Sequence, residues 1–383
     1  MWAMTALLES ELAALPEELR AKLSQNGFDA ARLLHWSSRL ANGPTASMNV
    51  PAGMPVVPAE EDYVRLPEAG SRAAQEATLR GETLLREGRV AVLVLAGGMA
   101  TRMGGIVKAL AEVPSVGTFL DARISEMHGL HTRYGRRPEL WLMSSDATHT
   151  ALTVAIAAAG APDTYCFRQD LSLRLNSDGS LFRGADGAPS AYATGHGDVS
   201  DALGRSGLLT KFVECGGTHV FLTNVDNLGA TLDPMLLGLA DLAGTPVAVE
   251  VCDKEPGDRG GIPVRMAGRM SVLEEFRLPR GFDPAQVRVF NTNTFWLRAE
   301  ALAQTDFEWP YFEVRKKVDG AEAVQFERLV QELTARFDTS YLRVPRDGDV
   351  SRFLPVKDND DLARRGSAIA ATLSSRGLLP SKA

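Results

Sequence analysis

The stretch that most constrains this chain is "VAVLVLAGGMATRMGGIVKAL", residues 90–110. An apolar run ends at the pair Gly97-Gly98, and Arg102 and Lys108 follow within ten residues. A run of that length and β-branched content reads as a fully buried strand. Glycines at its end free the backbone amides to approach an anion, with two cations close by. The glycine spacing matches neither a dinucleotide fingerprint nor a Walker loop. The same residues also fit a plain helix-entry turn carrying a surface arginine and lysine, so the rest of the chain must arbitrate.

Four further apolar runs follow: "ELWLMSS", "THVFLTNVD", "PVAVEVCD" and "RVFNTNTFWL", separated by helical stretches such as "DATHTALTVAIAAAG" and "DPMLLGLADLAG". Near-continuous apolar strands alternating with helices predict the α/β class, a mostly parallel mixed sheet flanked by helices. Ligands of such sheets bind beyond the carboxyl ends of the strands. Polar candidates sit there: Asn224 and Asp226 after "VFLT", Asp253 and Lys254 after "VAVEV", and Asn291 and Asn293 after "VRVF". Between strands, "LSLRLNSDGSLFRGADGAPSAYATGHGDV" carries Asp-Gly turns and predicts a small excursion of antiparallel strands.

Upstream, residues 4–40 read as helices, with Pro16 where a second helix begins. A Pro- and Gly-rich stretch and the helical "SRAAQEATLRGETLLREG" then lead into the first strand. The expected organisation is an N-terminal helical segment and linker over 1–85, a catalytic domain over 86–335 and a short C-terminal segment over 336–383.

The 383 residues carry 41 Lys and Arg against 48 Asp and Glu, a net charge of −7. This gives no general basic surface for a nucleic-acid backbone. Cys166, Cys215 and Cys252 are widely spaced and lack the spacing of a metal knuckle, as expected of free thiols in a reducing compartment. The N-terminus lacks a basic start, and no uncharged run approaches bilayer-spanning length, so neither secretion nor a membrane is expected and the location is read as cytoplasmic.

Two further stretches carry chemistry. In "TGHGDVSDAL" glycines on both sides of His196 let the backbone approach a flat ligand while the imidazole faces a phosphate. In "FLTNVDNLGATLD", Asp226 lies just past a strand, where a carboxylate needs water, a cation or a metal; beside phosphates that metal would be Mg²⁺. The alternative for Asp226 is a helix N-cap, a role open also to Asn227 and Thr231.

"LAGGMATRMGG", "FRQ" (167–169), "GHGD" (195–198), "TNVDNLGATLD" (223–233), "EVCDKEPGDRGG" (250–261), "FNTNTFWL" (290–297), "KKVDG" (316–320) and "VPRDGDVSRFLPVKDNDDL" (344–362) occur in this order. The order resembles that of the UDP-glucose pyrophosphorylase family, and the motifs span about 270 residues. The resemblance implies a Rossmann-like, GT-A-like nucleotidyltransferase fold and an enzyme that joins a nucleoside triphosphate to a sugar 1-phosphate with release of pyrophosphate. UTP and glucose 1-phosphate are the default substrates and Mg²⁺ the expected cofactor. It also implies roles. Gly97 and Gly98 with Arg102 would cradle the triphosphate, and Lys108 would neutralise charge as pyrophosphate leaves. Gln169 would read the uracil edge and the Gly195 backbone would bond the base. His196 would contact the sugar phosphate and Asp226 would hold the metal at the α-phosphate. Glu250, Gly260 and Asn293 would bind sugar hydroxyls, with Asn291 grouped beside them. Lys316 would be the second phosphate-binding lysine, although "EVRKKVDG" also reads as a solvated turn in which Lys317 takes its place.

Departures from the family wording set further expectations. Ala100 replaces a usual glycine, and a positive φ there would cost roughly 1 kcal/mol or more. The approach from Met103 to Lys108 is one residue short, and "DLSLRLN" after Gln169 replaces a basic residue and proline. The chain is expected to lack the family's carboxyl-terminal β-helix, which leaves the oligomeric state open. Alternatives are the same reaction with another triphosphate such as GTP or with a cyclitol phosphate, and a non-catalytic sensor of nucleotide sugars.

Overall fold

The structure, a computed structural model, describes residues 2–379 except 44, 259 and 305–307. Arg259 of the "EVCDKEPGDRGG" motif therefore lies outside the described residues.

Eight strands form the central sheet: β1 (Val64–Arg65), β2 (Val90–Leu95), β3 (Leu140–Ser144), β4 (Thr164–Arg168), β5 (His219–Asn224), β6 (Val247–Asp253), β7 (Val289–Arg298) and β8 (Thr339–Arg343). Their order is β1-β8-β6-β7-β5-β2-β3-β4. All neighbours pair in parallel except β7, which runs antiparallel to both β5 and β6. The five apolar runs read from the sequence are β2, β3, β5, β6 and β7, and their buried interiors explain the continuous apolar wording. Because β7 is reversed, its beginning lies at the same sheet edge as the ends of β2, β3, β5 and β6. That edge collects Gly97, Ser145, Asn224, Asp253 and Asn291.

Helices cover both faces. Arg72–Arg86 and Pro234–Leu242 cross in backbone contact: a Cβ on Gly81 would stand 1.8 Å from the Pro234 carbonyl oxygen, and one on Gly238 1.8 Å from that of Ala77. Phe119–Tyr134 begins with a reciprocal Thr118/Asp121 capping box and stops at Gly135, φ +74°. From inside this helix the fully buried Arg123 donates to the carbonyls of Asn227 (2.8 Å) and Ala230 (2.8 Å), which fixes the turn after β5.

The edge strands β1 and β8 lie outside residues 86–335, and so does helix Asn359–Ser375, whose Ile369 and Leu373 belong to the main core. The antiparallel excursion pairs Leu171–Leu173 with Ala191–Ala193 and bridges Leu175 to Val324 in the hairpin Phe312–Val318/Ala321–Glu327. Helices Trp2–Ala13, Glu17–Gln25 and Ala30–Ala41 close a second core over it, in which Leu8, Leu23, Leu33 and Leu40 meet Leu171, Leu173 and Phe326. Pro16 caps the second of these helices.

Candidate active site

A cavity of about 250 Å³ opens where β5, β6 and β7 present their polar edge. His196, Asn224, Asp226, Gly260, Asn291 and Asn293 line it, together with Glu274 and Lys357.

The loop after β2 explains how Lys108 reaches the cavity's edge. Met99–Ala100 pairs antiparallel with Ile106–Val107, and Gly104 (φ +84°) and Gly105 (φ +75°) supply the left-handed residues of the turn. The hairpin returns the chain so that the Lys108 N–H donates to the Gly98 carbonyl (3.1 Å), and the lysine ammonium forms an ion pair with Asp226. Ala100 has φ −79° and is buried, so the expected strain at this position does not arise: the left-handed turn falls on Gly104 and Gly105 instead. Arg102 is 70 % exposed at the rim, its nearest carboxylate Asp358 at 4.0 Å.

Asp226 is not a helix cap; Asp233 takes that role by accepting from the Leu236 N–H (3.0 Å). Asn224 accepts from the Asn293 side-chain amide (2.8 Å) across the β5–β7 pair. The pairing of β6 with β7 shifts register between Val249 and Val251, and in the resulting bulge Asn293 takes φ +58°. Asparagine tolerates that region better than other L-residues, and such bulges re-aim side chains at sites. Asn291 buttresses the turn by accepting from the Asn293 N–H (2.9 Å).

His196 accepts the Val330 N–H on Nδ1 (2.9 Å), so its neutral ring carries the proton on Nε2 as a donor. Burial pushes its pKa down to about 4, which keeps the ring neutral at physiological pH. Gly195 has φ +103°, and a Cβ there would stand 2.4 Å from the Arg328 carbonyl oxygen, so only glycine fits. Gln169 lies over the end of β2: its Oε1 is 2.7 Å from where a Cβ of Gly97 would be, while Gly98 is open.

Of the residues expected at the site, His196, Asp226, Gly260, Asn291 and Asn293 line the cavity, whereas Gly97, Gly98, Arg102, Lys108, Gln169 and Gly195 are not among its lining residues, nor are Glu250 and Lys316. Glu250 is fully buried in β6, where its carboxylate accepts from Arg352 through Nη2 (2.6 Å) and Nε (3.1 Å) and from the Trp296 indole (3.0 Å). Lys316 stands half-exposed on the Phe312–Val318 strand, 3.8 Å from Glu327. Glu274 and Lys357, which sequence reasoning passed over, do line the cavity. Glu274 accepts from Gln331 (2.5 Å), and burial pushes its carboxyl up to about 7. Gly261 makes room for it, since a Cβ there would meet Glu274 Oε1 at 3.0 Å. Lys357 lies within the "VPRDGDVSRFLPVKDNDDL" motif. It arrives because 352–356 zips onto the turn after β5: the Leu354 N–H donates to the Asn227 side chain (2.9 Å) and the Val356 N–H to the Asp226 carbonyl (3.2 Å).

Among the described residues no group of three or more His, Cys, Asp or Glu could hold a metal by itself. Asp226 is a single carboxylate lining the cavity, and it would be the residue to hold a divalent metal there. No helix among the described residues is long and apolar enough to cross a membrane.

The family described as UTP--glucose-1-phosphate uridylyltransferase (UDPGP) matches residues 55–376. Curated relatives include the UTP--glucose-1-phosphate uridylyltransferases of Hordeum vulgare, 32 % identical over 72 % of this chain and 61 % of its own length, and of Solanum tuberosum, 32 % identical over 72 % and 60 %. The chain thus spans about three fifths of the length of these relatives. Among solved structures, a Leishmania major UDP-glucose pyrophosphorylase in complex with UDP-glucose has a TM-score of 0.70 at 23 % identity, covering 94 % of this chain and 78 % of that one. A Trypanosoma brucei UDP-N-acetylglucosamine pyrophosphorylase in complex with inhibitor has a TM-score of 0.74 at 19 % identity, covering 91 % and 79 %. These two likenesses establish the fold, a nucleotidyltransferase fold built on a mixed, mostly parallel sheet. With a family match running over most of its length, the chain belongs to the UTP--glucose-1-phosphate uridylyltransferase family.

Proposed function

We propose that this chain transfers a uridylyl group from UTP to a hexose 1-phosphate, with glucose 1-phosphate the default acceptor, and releases pyrophosphate. The observation that carries the reading is the meeting of Lys108 and Asp226, 118 residues apart, at the edge of a cavity lined with amide, imidazole, carboxyl and ammonium groups. The names of the curated relatives, which carry UTP and glucose 1-phosphate, support the choice of substrates.

In this reaction a phosphate oxygen of the sugar phosphate bonds to the α-phosphorus. The bond from that phosphorus to the oxygen bridging to the β-phosphate breaks, and its electron pair leaves on pyrophosphate. Two polyanions must be brought together in line, so charge screening and alignment are the main tasks. Lys108 is placed to meet the leaving pyrophosphate, with Arg102 at the rim for the outer phosphates. Neutral His196 donates from Nε2 to the sugar phosphate. Lys357 takes the second phosphate-binding role expected of Lys316. Asn291, Asn293, Gly260 and the Glu274 carboxyl face the sugar hydroxyls, in place of Glu250. Gln169 and Gly195 hold the base. Asp226 would hold Mg²⁺, which supplies charge neutralisation at the phosphates when bound. The unit that does this takes in β1, β8 and Lys357 in addition to residues 86–335. A reducing cytosol suits its free cysteines.

The test is pyrophosphate release with Mg²⁺, crossing UTP, GTP, ATP, CTP and dTTP with glucose 1-phosphate and other sugar and cyclitol phosphates. Turnover with UTP and glucose 1-phosphate is expected. Turnover confined to GTP or to a cyclitol phosphate would replace the substrates, and nucleotide-sugar binding without turnover would make the protein a sensor.

A further inference from the structure

Arg328 stands where three segments needed by the proposed reaction meet. It is 1 % exposed, and its guanidinium donates to Asp198 (2.7 Å), Asp170 (2.8 Å) and Asp201 (2.5 Å). Asp170 directly follows Gln169, and Asp198 closes the turn that carries His196. The two segments are also bonded to each other: Asp198 accepts from the Asp170 N–H (3.1 Å), and the Asp170 carbonyl accepts from the Thr194 N–H (3.1 Å). The backbone of Arg328 repeats the link. Its N–H donates to the Thr194 carbonyl (2.7 Å), its carbonyl accepts from the Gly197 N–H (3.0 Å), and two residues on, Val330 holds His196.

Asp170 from one segment and Asp198 and Asp201 from another repel one another, and the burial of Asp170 and Asp198 is costly unless a cation satisfies them; Arg205 also donates to Asp170 (2.5 Å), but Arg328 alone reaches all three. Only the planar fork of an arginine offers several donors in fixed directions to do so. The cluster is poor economy as a core, because apolar residues of similar volume would fill the space at no less stability. Its distinctive consequence is geometric, since the Gln169 end of β4 and the His196 turn are clamped to the same guanidinium. We propose that Arg328 is a positioning residue that holds base-reading Gln169 and phosphate-facing His196 in one register, coupling recognition of the base to placement of the sugar phosphate. The proposal rests on the nucleotidyl-transfer reading above.

Arg328→Lys tests it, because an ammonium keeps the charge but cannot span three carboxylates. Misplacement of reacting groups by about 1 Å costs on the order of 10²-fold. The variant is therefore expected to raise KM for UTP at least about tenfold and to lower the preference for UTP over CTP by a similar factor. In a Gln169→Ala background the same substitution should change that preference less than about twofold, since both act on one element. A merely structural arginine would lower the folded fraction and leave KM and base preference unchanged in either background, which would overturn the proposal. If Arg328→Lys does not fold, Asp201→Asn removes the partly exposed partner and should shift KM and preference in the same direction; unchanged values overturn the proposal too. Calorimetric binding of UTP and CTP separates this from the functional reading. A wild-type protein that discriminates the two nucleotides without turning them over sinks the reaction, while Arg328 is still judged by whether Arg328→Lys loses that discrimination. A wild-type protein that binds neither nucleotide sinks both.

Discussion

Lys108 and Asp226 form an ion pair between the hairpin after β2 and the turn after β5, with their side chains 18 % and 17 % exposed. Each screens the other's charge. In the proposed reaction the lysine would meet phosphate oxygens and Asp226 would hold the metal, which would supply charge neutralisation there. Lys108→Ala is expected to lower kcat/KM for pyrophosphate release by about 10² to 10³, the usual loss when a charge-stabilising donor is removed. The pair is partly hydrated, so the thermal midpoint should move by only a few degrees, about what 1 kcal/mol produces. Wild-type turnover from the variant would remove Lys108 from the mechanism.

The two candidate second lysines make opposite predictions. Lys357 lines the cavity, whereas Lys316 is half-exposed beside Glu327. Lys357→Ala should cost on the order of 10²-fold in kcat/KM, and Lys316→Ala less than about twofold. Parallel initial-rate measurements on the two purified variants decide it, and the reverse ranking would restore Lys316.

Glu250 and Glu274 divide in the same way between structure and sugar. Glu250→Gln leaves the buried Arg352 guanidinium without its counter-charge, and removing one partner of such a pair costs about 3–5 kcal/mol. Denaturant unfolding should register that loss. Glu274→Gln keeps most of the volume but not the carboxyl, and is expected to raise KM for the sugar phosphate with a smaller effect on stability. A raised sugar-phosphate KM in Glu250→Gln at unchanged stability would contradict this assignment.

How far this was legible follows from the range of the interactions. The sheet was readable because β2, β3, β5, β6 and β7 are buried on both faces and spell themselves as apolar runs. That His196 and Asp226 would stand at this edge of the sheet was readable because each lies within a few residues of a strand end or a glycine turn. The buried pairing of Glu250 was not legible, because its partner Arg352 is 102 residues away and nothing local marks a carboxylate in "VAVEV" as an ion-pair member. Lys357 was passed over for the same reason: it is delivered by pairing between 226–229 and 352–356, not by its neighbours. The left-handed Asn293 is a product of the β6–β7 register shift, which no local residue preference encodes.

Ala100 offers a direct check on the loop after β2. With φ −79°, a glycine there relieves no strain and only loosens the unfolded chain. Ala100→Gly, which restores the family's usual residue, should destabilise by about 0.5–1 kcal/mol and leave turnover within about twofold. A marked gain in activity would show that the alanine restricts the triphosphate loop.

The buried histidines set the direction of the pH dependence. His196 and His219 both have pKa values pushed down to about 4 by burial, against about 6.5 in an unfolded chain. Between pH 6.5 and 4 the unfolded state therefore binds protons that the folded state refuses. Stability contributed by these rings is complete above pH 6.5 and is lost as pH falls toward 4, at no more than about 1.4 kcal/mol per pH unit for each ring. Glu274, raised to about 7, acts in the opposite sense, because its folded form takes up a proton before the unfolded one does. The comparison that isolates the histidines is therefore between the wild type and single His196→Gln and His219→Gln variants, unfolded in urea at pH 7 and pH 5. Each variant should lose less stability on acidification than the wild type. Equal losses in all three proteins would mean that the rings accept protons in the folded state, and that His196 cannot be the fixed neutral donor at the sugar phosphate.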